Sequence, residues 1–412
     1  MVTSWALLLH FYQPPTQTHD VLVKVTEESY RPLIRVLRAH ENARVAVNLQ
    51  GVLTELLLEH GLGDVVSGLR ELAEMGRVEF VGSGKFHPIL PLIPESERKR
   101  QIGENARTNR AALGRSWSPR GFFPPEMCYS REILPSVHAA GHEWLIVSGV
   151  ACPVEWPTDV VCRVPVDGAH LRVLFRDDIR SNRISFRETN PEAFVADVAG
   201  VGGGSDAYVV TAMDAETYGH HIRDWEREFL GATLALLAAE AAGGSRRVQM
   251  VFPSELLEMF PDGPVIEPRA SSWSTSLDDL AAHNPFPLWN SPGNRVHELQ
   301  WEYVDHCLDL VAVARRYATT PEAKEFAAAA YERLGPALHS CQFWWASRRP
   351  MWSIPMIYRG FLLLNQVATY AGHAIAVGDA SEPVKREARW RLAAANETRI
   401  ELERELIGSR AP

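Results

Sequence analysis

From residue 5 to residue 252 the chain alternates short apolar runs, rich in β-branched side chains, with stretches of helical periodicity. That alternation limits the fold more than any other feature. The runs lie at 5–11, 44–49, 78–82, 121–123, 144–147, 171–175, 208–213 and 248–252. Between them, 31–40 places Leu33, Val36 and Leu37 on one helical face, and 225–242 is a second helical stretch. Strands separated by helices pair in parallel and are covered by those helices. Seven or eight strands within about 260 residues suit a closed α/β barrel better than an open sheet.

The pattern then changes. Residues 260–295 are loop-rich, with Pro261, Pro264, Pro268, Pro285, Pro287 and Pro292. From 296 no strand pattern is found, and 300–317, 322–346, 354–377 and 383–407 read as helices. A barrel over 1–265, a linker over 266–295 that carries part of the site, and a helical domain over 296–412 are expected. The glycines of 200–204 precede a strand and lack a following Lys-Ser/Thr, so they form a turn and not a phosphate loop.

The formal net charge is -9 and basic clusters are absent, which excludes nucleic acid as the main partner. Five scattered cysteines (Cys128, Cys152, Cys162, Cys307, Cys341) without a CxxC fit a reducing compartment and give no metal finger. The leading apolar stretch Trp5-Ala6-Leu7-Leu8-Leu9 is too short for a secretory core. No apolar run reaches the roughly 18 residues of a membrane helix. A cytoplasmic protein with no membrane partner is expected. The 12 Trp and 15 His are many for 412 residues. Trp can stack on sugar rings, and His offers directional bonds to hydroxyls; core packing accounts for buried Trp equally well.

In a parallel barrel the chemistry sits just beyond the C-terminal strand ends. Those positions hold His10, Tyr12 and Gln13 after the first run, Gly82 to His87 after the third and Glu126 after the fourth. They hold Arg176, Asp177 and Asp178 after the sixth, and Asp214, Glu216, His220 and His221 after the seventh. Glu126 follows two prolines that fix its backbone. Glu126 and Asp214 are the natural pair for glycosidic cleavage, where one carboxyl attacks or supports water and the other protonates the leaving oxygen. Pairing also separates their ionisations. A second use of the same residues is a divalent metal held by His10, His87, His220, His221 and Asp214, although HExxH and HxxxH spacings are absent.

Four stretches, in order, resemble the signature regions of glycoside hydrolase family 57. They are Leu9-His10-Phe11-Tyr12-Gln13-Pro14, the segment Phe86-His87-Pro88-Ile89-Leu90-Pro91, the segment Phe122-Phe123-Pro124-Pro125-Glu126, and Met213-Asp214-Ala215-Glu216-Thr217-Tyr218-Gly219-His220. Weaker matches are Asn48 to Leu57 and Ser340-Cys341-Gln342-Phe343-Trp344-Trp345. The resemblance implies a distorted (β/α)7 barrel followed by a C-terminal helical bundle. It implies retaining chemistry on α-linked glucan without metal or other cofactor. Glu126 would be the nucleophile and Asp214 the acid/base, about 5–5.5 Å apart as retention requires. His10, Gln13, His87, Glu216 and His220 would hold sugar hydroxyls, and Trp273 and Trp345 would stack on sugar rings.

Two positions depart from the family pattern. Tyr12 stands where a His is usual, and Gln342 takes the place of a common acidic residue. The substrate partner is then an oligo- or polysaccharide, resolved by water or by a second sugar. Two other classes stay open: an amylase-like sugar-binding protein without turnover, and a metal-dependent deacetylase or mannosidase on a related barrel. Apolar residues on the last helices leave room for a homo-oligomer.

Overall fold

The computed structural model describes residues 1–408, and ten strands form among them. These are β1 (Thr3–Phe11), β2 (Val45–Leu49), β3 (Val78–Val81), β4 (Gly121–Phe122), β5 (Trp144–Ser148), β6 (Val161–Val166), β7 (Ala169–Arg176), β8 (Ala207–Asp214), β9 (Val248–Met250) and β10 (Asp262–Val265). The order β8-β1-β2-β3 is parallel throughout. Gly82, just past β3, carries the ladder to β4: its N–H donates to Gly121 O at 2.8 Å, and Phe123 N–H donates back to Gly82 O at 2.9 Å. β4, β5 and β7 continue in parallel. Asp177 N–H, directly after β7, donates to Val210 O of β8 at 2.7 Å. Seven parallel strands therefore link into a ring, the (β/α)7 barrel.

Three strands lie outside that ring. β9 meets β1 only at Thr3, Ser4 and Trp5, so the eighth apolar run is a short pair at the N-terminal end of β1. β6 turns through Asp167 and Gly168, both at positive φ, into an antiparallel hairpin with β7, and β10 pairs with β6. The sequence pattern did not disclose β6 or β10. Arg163 and Pro165 interrupt one run, and Asp-Gly-Pro-Val carries no apolar period.

Side chains in a strand alternate between faces. One buried cluster takes Ala6 and Leu8 from β1, Ala46 from β2, Trp144 and Ile146 from β5, Leu174 from β7, and Tyr208, Val210 and Ala212 from β8. Two residues further along each strand stand His10, Asn48, Ser148, Arg176 and Asp214. The same period that fills the barrel with apolar layers thus ends in a polar layer at the C-terminal mouth. The alternate face meets the surrounding helices. Trp5 packs edge to face on Phe194 at 4.9 Å and donates to Thr211 Oγ1 at 2.9 Å.

The division between two compact units falls after Trp273, inside the expected linker 266–295. Ser271 pairs with Tyr129 and so belongs to the barrel unit. The second unit contains helices Arg295–Tyr317, Pro321–Ala337, Ile354–Val377 and Glu382–Gly408, with a short helix Cys341–Trp344. The expected helix over 322–346 stops at Ala337 because Pro336 removes a backbone donor in its last turn. No helix among the described residues is long and apolar enough to cross a membrane.

The β3–β4 joint depends on the absence of side chains. A Cβ on Gly121 would lie 2.1 Å from a ring carbon of Trp144, which is fully buried in the barrel. Gly121→Ala should therefore cost about 1–3 kcal/mol, the usual penalty for overpacking. Urea denaturation checks this, and an unchanged midpoint would show that Trp144 can yield.

Candidate active site

The polar mouth of the barrel gathers most of the expected residues. His10 lies beside Asn48 of β2 and Asp214 of β8 in strand register. Its ring stacks on His87 at 4.7 Å and on Phe123 at 4.9 Å, and Tyr12 covers His87 at 4.0 Å. His87 Nδ1 lies 3.6 Å from Glu126 Oε1. Trp273 donates from Nε1 to Glu126 Oε2 at 3.0 Å, and its backbone N–H donates to Glu126 O at 3.2 Å. A stacked pair of imidazoles thus spans from Asp214 to Glu126.

Local backbone explains how Glu126 reaches this position. It adopts φ 58°, as do few residues with a side chain, and Met127 follows at φ 49°. Pro124 and Pro125 fix the approach, while Met127 N–H and Cys128 N–H donate back to the carbonyls of Pro124 and Pro125 at 2.7 and 2.9 Å. His87 also sits at φ 58°. Both partners of the 3.6 Å contact are therefore held in backbone that costs about 1–2 kcal/mol per residue, a pattern common where geometry serves function.

A relay of neutral groups fixes the proton on His10. Ser83 Oγ donates to Phe123 O at 2.7 Å and so accepts from Gln50 Nε2 at 2.9 Å. Gln50 Nε2 also donates to Asn48 Oδ1 at 3.1 Å. Asn48 Oδ1 is then an acceptor, and the His10 Nδ1 lying 2.6 Å from it must carry the hydrogen. Burial holds His10 below the ordinary imidazole range, against the pull of Asp214 and Asn48. A neutral ring with Nδ1–H leaves Nε2 as an acceptor for a hydroxyl.

Asp214, at the end of β8, is half-buried, and Glu216, two residues on, is buried. Desolvation raises Asp214, opposed by its electrostatic interactions with Arg176 and the nearby His10 ring. Arg176 is itself buried and fixed by Ala212 O at 2.8 Å, Asp178 at 2.6 Å and Asn182 at 2.9 Å. Desolvation and then the charge of Asp214 push Glu216 up as well, although Tyr30 and Gln13 donate to it. Sequence reasoning flagged Arg176 only by position, and Asn48 only as part of a familiar stretch. Tyr30 lies within a helical segment and gave no signal.

Three expected residues are not part of these contacts. His220 Nδ1 bonds Glu28 Oε2 at 2.6 Å and lines a cavity of about 1000 Å³ with Arg35, His40, Arg223 and Glu226. None of His10, His87, Glu126 or Asp214 lines that cavity. Gln342 belongs to the helical unit and is fully buried, its amide donating to Ala337 O at 2.5 Å. Trp345, in the same unit, is 4% exposed and packs edge to face on His339. Stacking needs an open ring face; Trp273 is half-buried, whereas Trp345 exposes little of its ring. Among the described residues no three or more His, Cys, Asp or Glu are arranged to hold a metal ion.

Comparison with known proteins gives a consistent grouping. Residues 8–267 match glycosyl hydrolase family 57. The alpha-amylase of Pyrococcus horikoshii is 30% identical over 145 residues, covering 34% of this chain and 21% of that protein. The 4-alpha-glucanotransferase of Thermococcus kodakarensis is 32% identical over 139 residues, with 34% and 21% covered. The aligned stretch thus spans about a fifth of these curated relatives. Among solved structures, the 4-alpha-glucanotransferase of Thermococcus litoralis superposes with TM-score 0.68 at 18% identity, covering 90% of this chain and 59% of that one. The GH57-type branching enzyme of Pyrococcus horikoshii gives TM-score 0.69 at 15% identity, covering 100% and 98%. Identities this low establish a shared fold.

The raised Glu216 has a measurable consequence. A carboxyl whose folded value exceeds its unfolded value retains protons on folding. The stability linked to it is complete below about 4.5 and is lost as pH rises through about 8. Glu216→Gln cannot ionise, so its melting temperature should gain a few degrees on the wild type between those pH values. Parallel curves would show that Glu216 is not buried as a carboxyl.

Proposed function

The chain belongs to glycosyl hydrolase family 57, and from that premise we propose that it is a retaining enzyme acting on α-linked glucan or oligosaccharide. The observation that carries this reading is the pair Glu126 and Asp214 at the mouth of one barrel, spanned by the stacked rings of His10 and His87. Glu126 attacks the anomeric carbon. The glycosidic C–O bond breaks, and Asp214 protonates the departing oxygen. The same Asp214 then takes a proton from water or from a sugar hydroxyl, which displaces Glu126 and restores the original configuration.

The surroundings suit these roles. Trp273 donates to Glu126 Oε2, which supports the carboxylate without occupying Oε1. Burial raises Asp214, which favours a protonated acid. Neutral His10 offers Nε2 to a hydroxyl. Half-buried Trp273 provides ring surface for a sugar face. The substrate is the partner on this reading, and the acidic surface gives nucleic acid no footing.

Linear maltooligosaccharides incubated with the protein should give new shorter or longer oligomers, with the α-anomer formed first by proton NMR. Glu126→Gln and Asp214→Asn should each lose at least about 1000-fold in turnover. No products from wild type would sink the α-glucan assignment and favour a sugar-binding role. Initial β-anomer would sink retention.

A further inference from the structure

The loop that follows β8 is gripped from one side by a single turn. Between helices His19–Val25 and Arg31–Ala39, residues Thr26–Tyr30 form a π-helical turn, in which Arg31 N–H donates to Thr26 O five residues back. Such widened turns recur at functional sites. An extra residue in the ring reduces the angle between neighbours, and here three consecutive side chains reach one loop. Glu28 holds His220 at 2.6 Å. Ser29 Oγ donates to Ala215 O at 2.9 Å. Tyr30 OH donates to Glu216 Oε1. Gly219 closes the contact: a Cβ there would lie 1.8 Å from Glu28 O, and its φ of 106° suits glycine.

We propose that the turn Thr26–Tyr30 is the clamp that sets the acid-bearing loop, with Tyr30 acting through Glu216 as a positioning residue. This deepens the function proposed above and rests on it only for its catalytic consequence. Gln13 Nε2 donates to the same Glu216 Oε1 at 2.8 Å, and Gln17 holds Gln13 Oε1 at 2.6 Å. Two donors converge on one oxygen, so a proton on Glu216 resides on Oε2. Tyr30 is fully buried and packs on Phe11 at 5.1 Å, so its ring cannot turn away without opening the core. The groups facing this pair are Tyr30 and Gln13 on Glu216, and His10 and Arg176 on Asp214, with Glu28–His220 at the outer end of the loop.

Hydrogen bonds to a carboxylate favour its charged form. Removing the Tyr30 hydroxyl should therefore raise the pH at which Glu216 ionises by about one unit, the worth of one hydrogen bond to a charged group. The test is a carbon NMR titration of protein labelled at the glutamate side-chain carboxyl, with the Glu216 resonance assigned by its loss in Glu216→Gln. Tyr30→Phe should shift that titration upward, and an unmoved midpoint in a folded variant would overturn the proposal. If Tyr30→Phe does not fold, 3-fluorotyrosine incorporated throughout supplies a more acidic donor. It should move the midpoint downward, and no movement would again overturn the clamp. The titration needs no substrate, so inactivity on glucan would sink the proposed reaction and leave this result standing.

Discussion

Side-chain alternation along parallel strands is the constraint on which the site depends. Ala6-Leu8-His10 and Tyr208-Val210-Ala212-Asp214 each send every second residue into the barrel. The lower residues are apolar and pack; the last is polar and has no further layer above it. A one-residue slip in β1 or β8 would send His10 or Asp214 to the helix-covered face and put a neighbour in its place. The register of the ring therefore fixes which side chains meet, and burial of Trp144, Ile146 and Leu174 below them stabilises that register.

On this frame the site adds unfavourable local choices that the surroundings hold in place. Glu126, Met127 and His87 occupy left-handed backbone, and Glu216, Arg176 and His10 are buried ionisable groups. Each is compensated by named partners. Two prolines and the strand-like pairing of Tyr129 with Ser271 secure the Glu126 turn. The relay from Phe123 O through Ser83, Gln50 and Asn48 secures His10. Tyr30 and Gln13 secure Glu216. Networks of this kind specify one arrangement, and they lose more than one bond's worth when a member is removed.

Much of this was legible before any coordinates. Apolar runs marked every wall strand of the ring, because buried β-branched segments between helical periods have few other uses. Glu126 and Asp214 stood out because strand ends in such barrels face the mouth. What stayed hidden depended on contacts distant in sequence. Tyr30 meets Glu216 across 186 residues, from a π-helical turn that no local pattern announced. His220 sat in the right motif, yet a partner on another helix, Glu28, draws it to a separate cavity. The burial of Gln342 and Trp345 in the helical unit is likewise set by packing that no local string encodes. Strand β6 was missed for the converse reason: its hairpin turn was written in Asp167 and Gly168, but Arg163 and Pro165 masked the strand before it.

In the proposed reaction a carboxylate oxygen of Glu126 bonds to the anomeric carbon as a covalent glycosyl-enzyme. A 5-fluoro-α-glucosyl fluoride, which forms such an intermediate quickly and releases it slowly, tests this directly when the protein is digested and the labelled peptide sequenced by mass spectrometry. The account predicts one added fluoroglucosyl group, on the peptide containing Glu126 and at that residue. A label on Asp214 or Glu216, or an active enzyme that never acquires one, would contradict it.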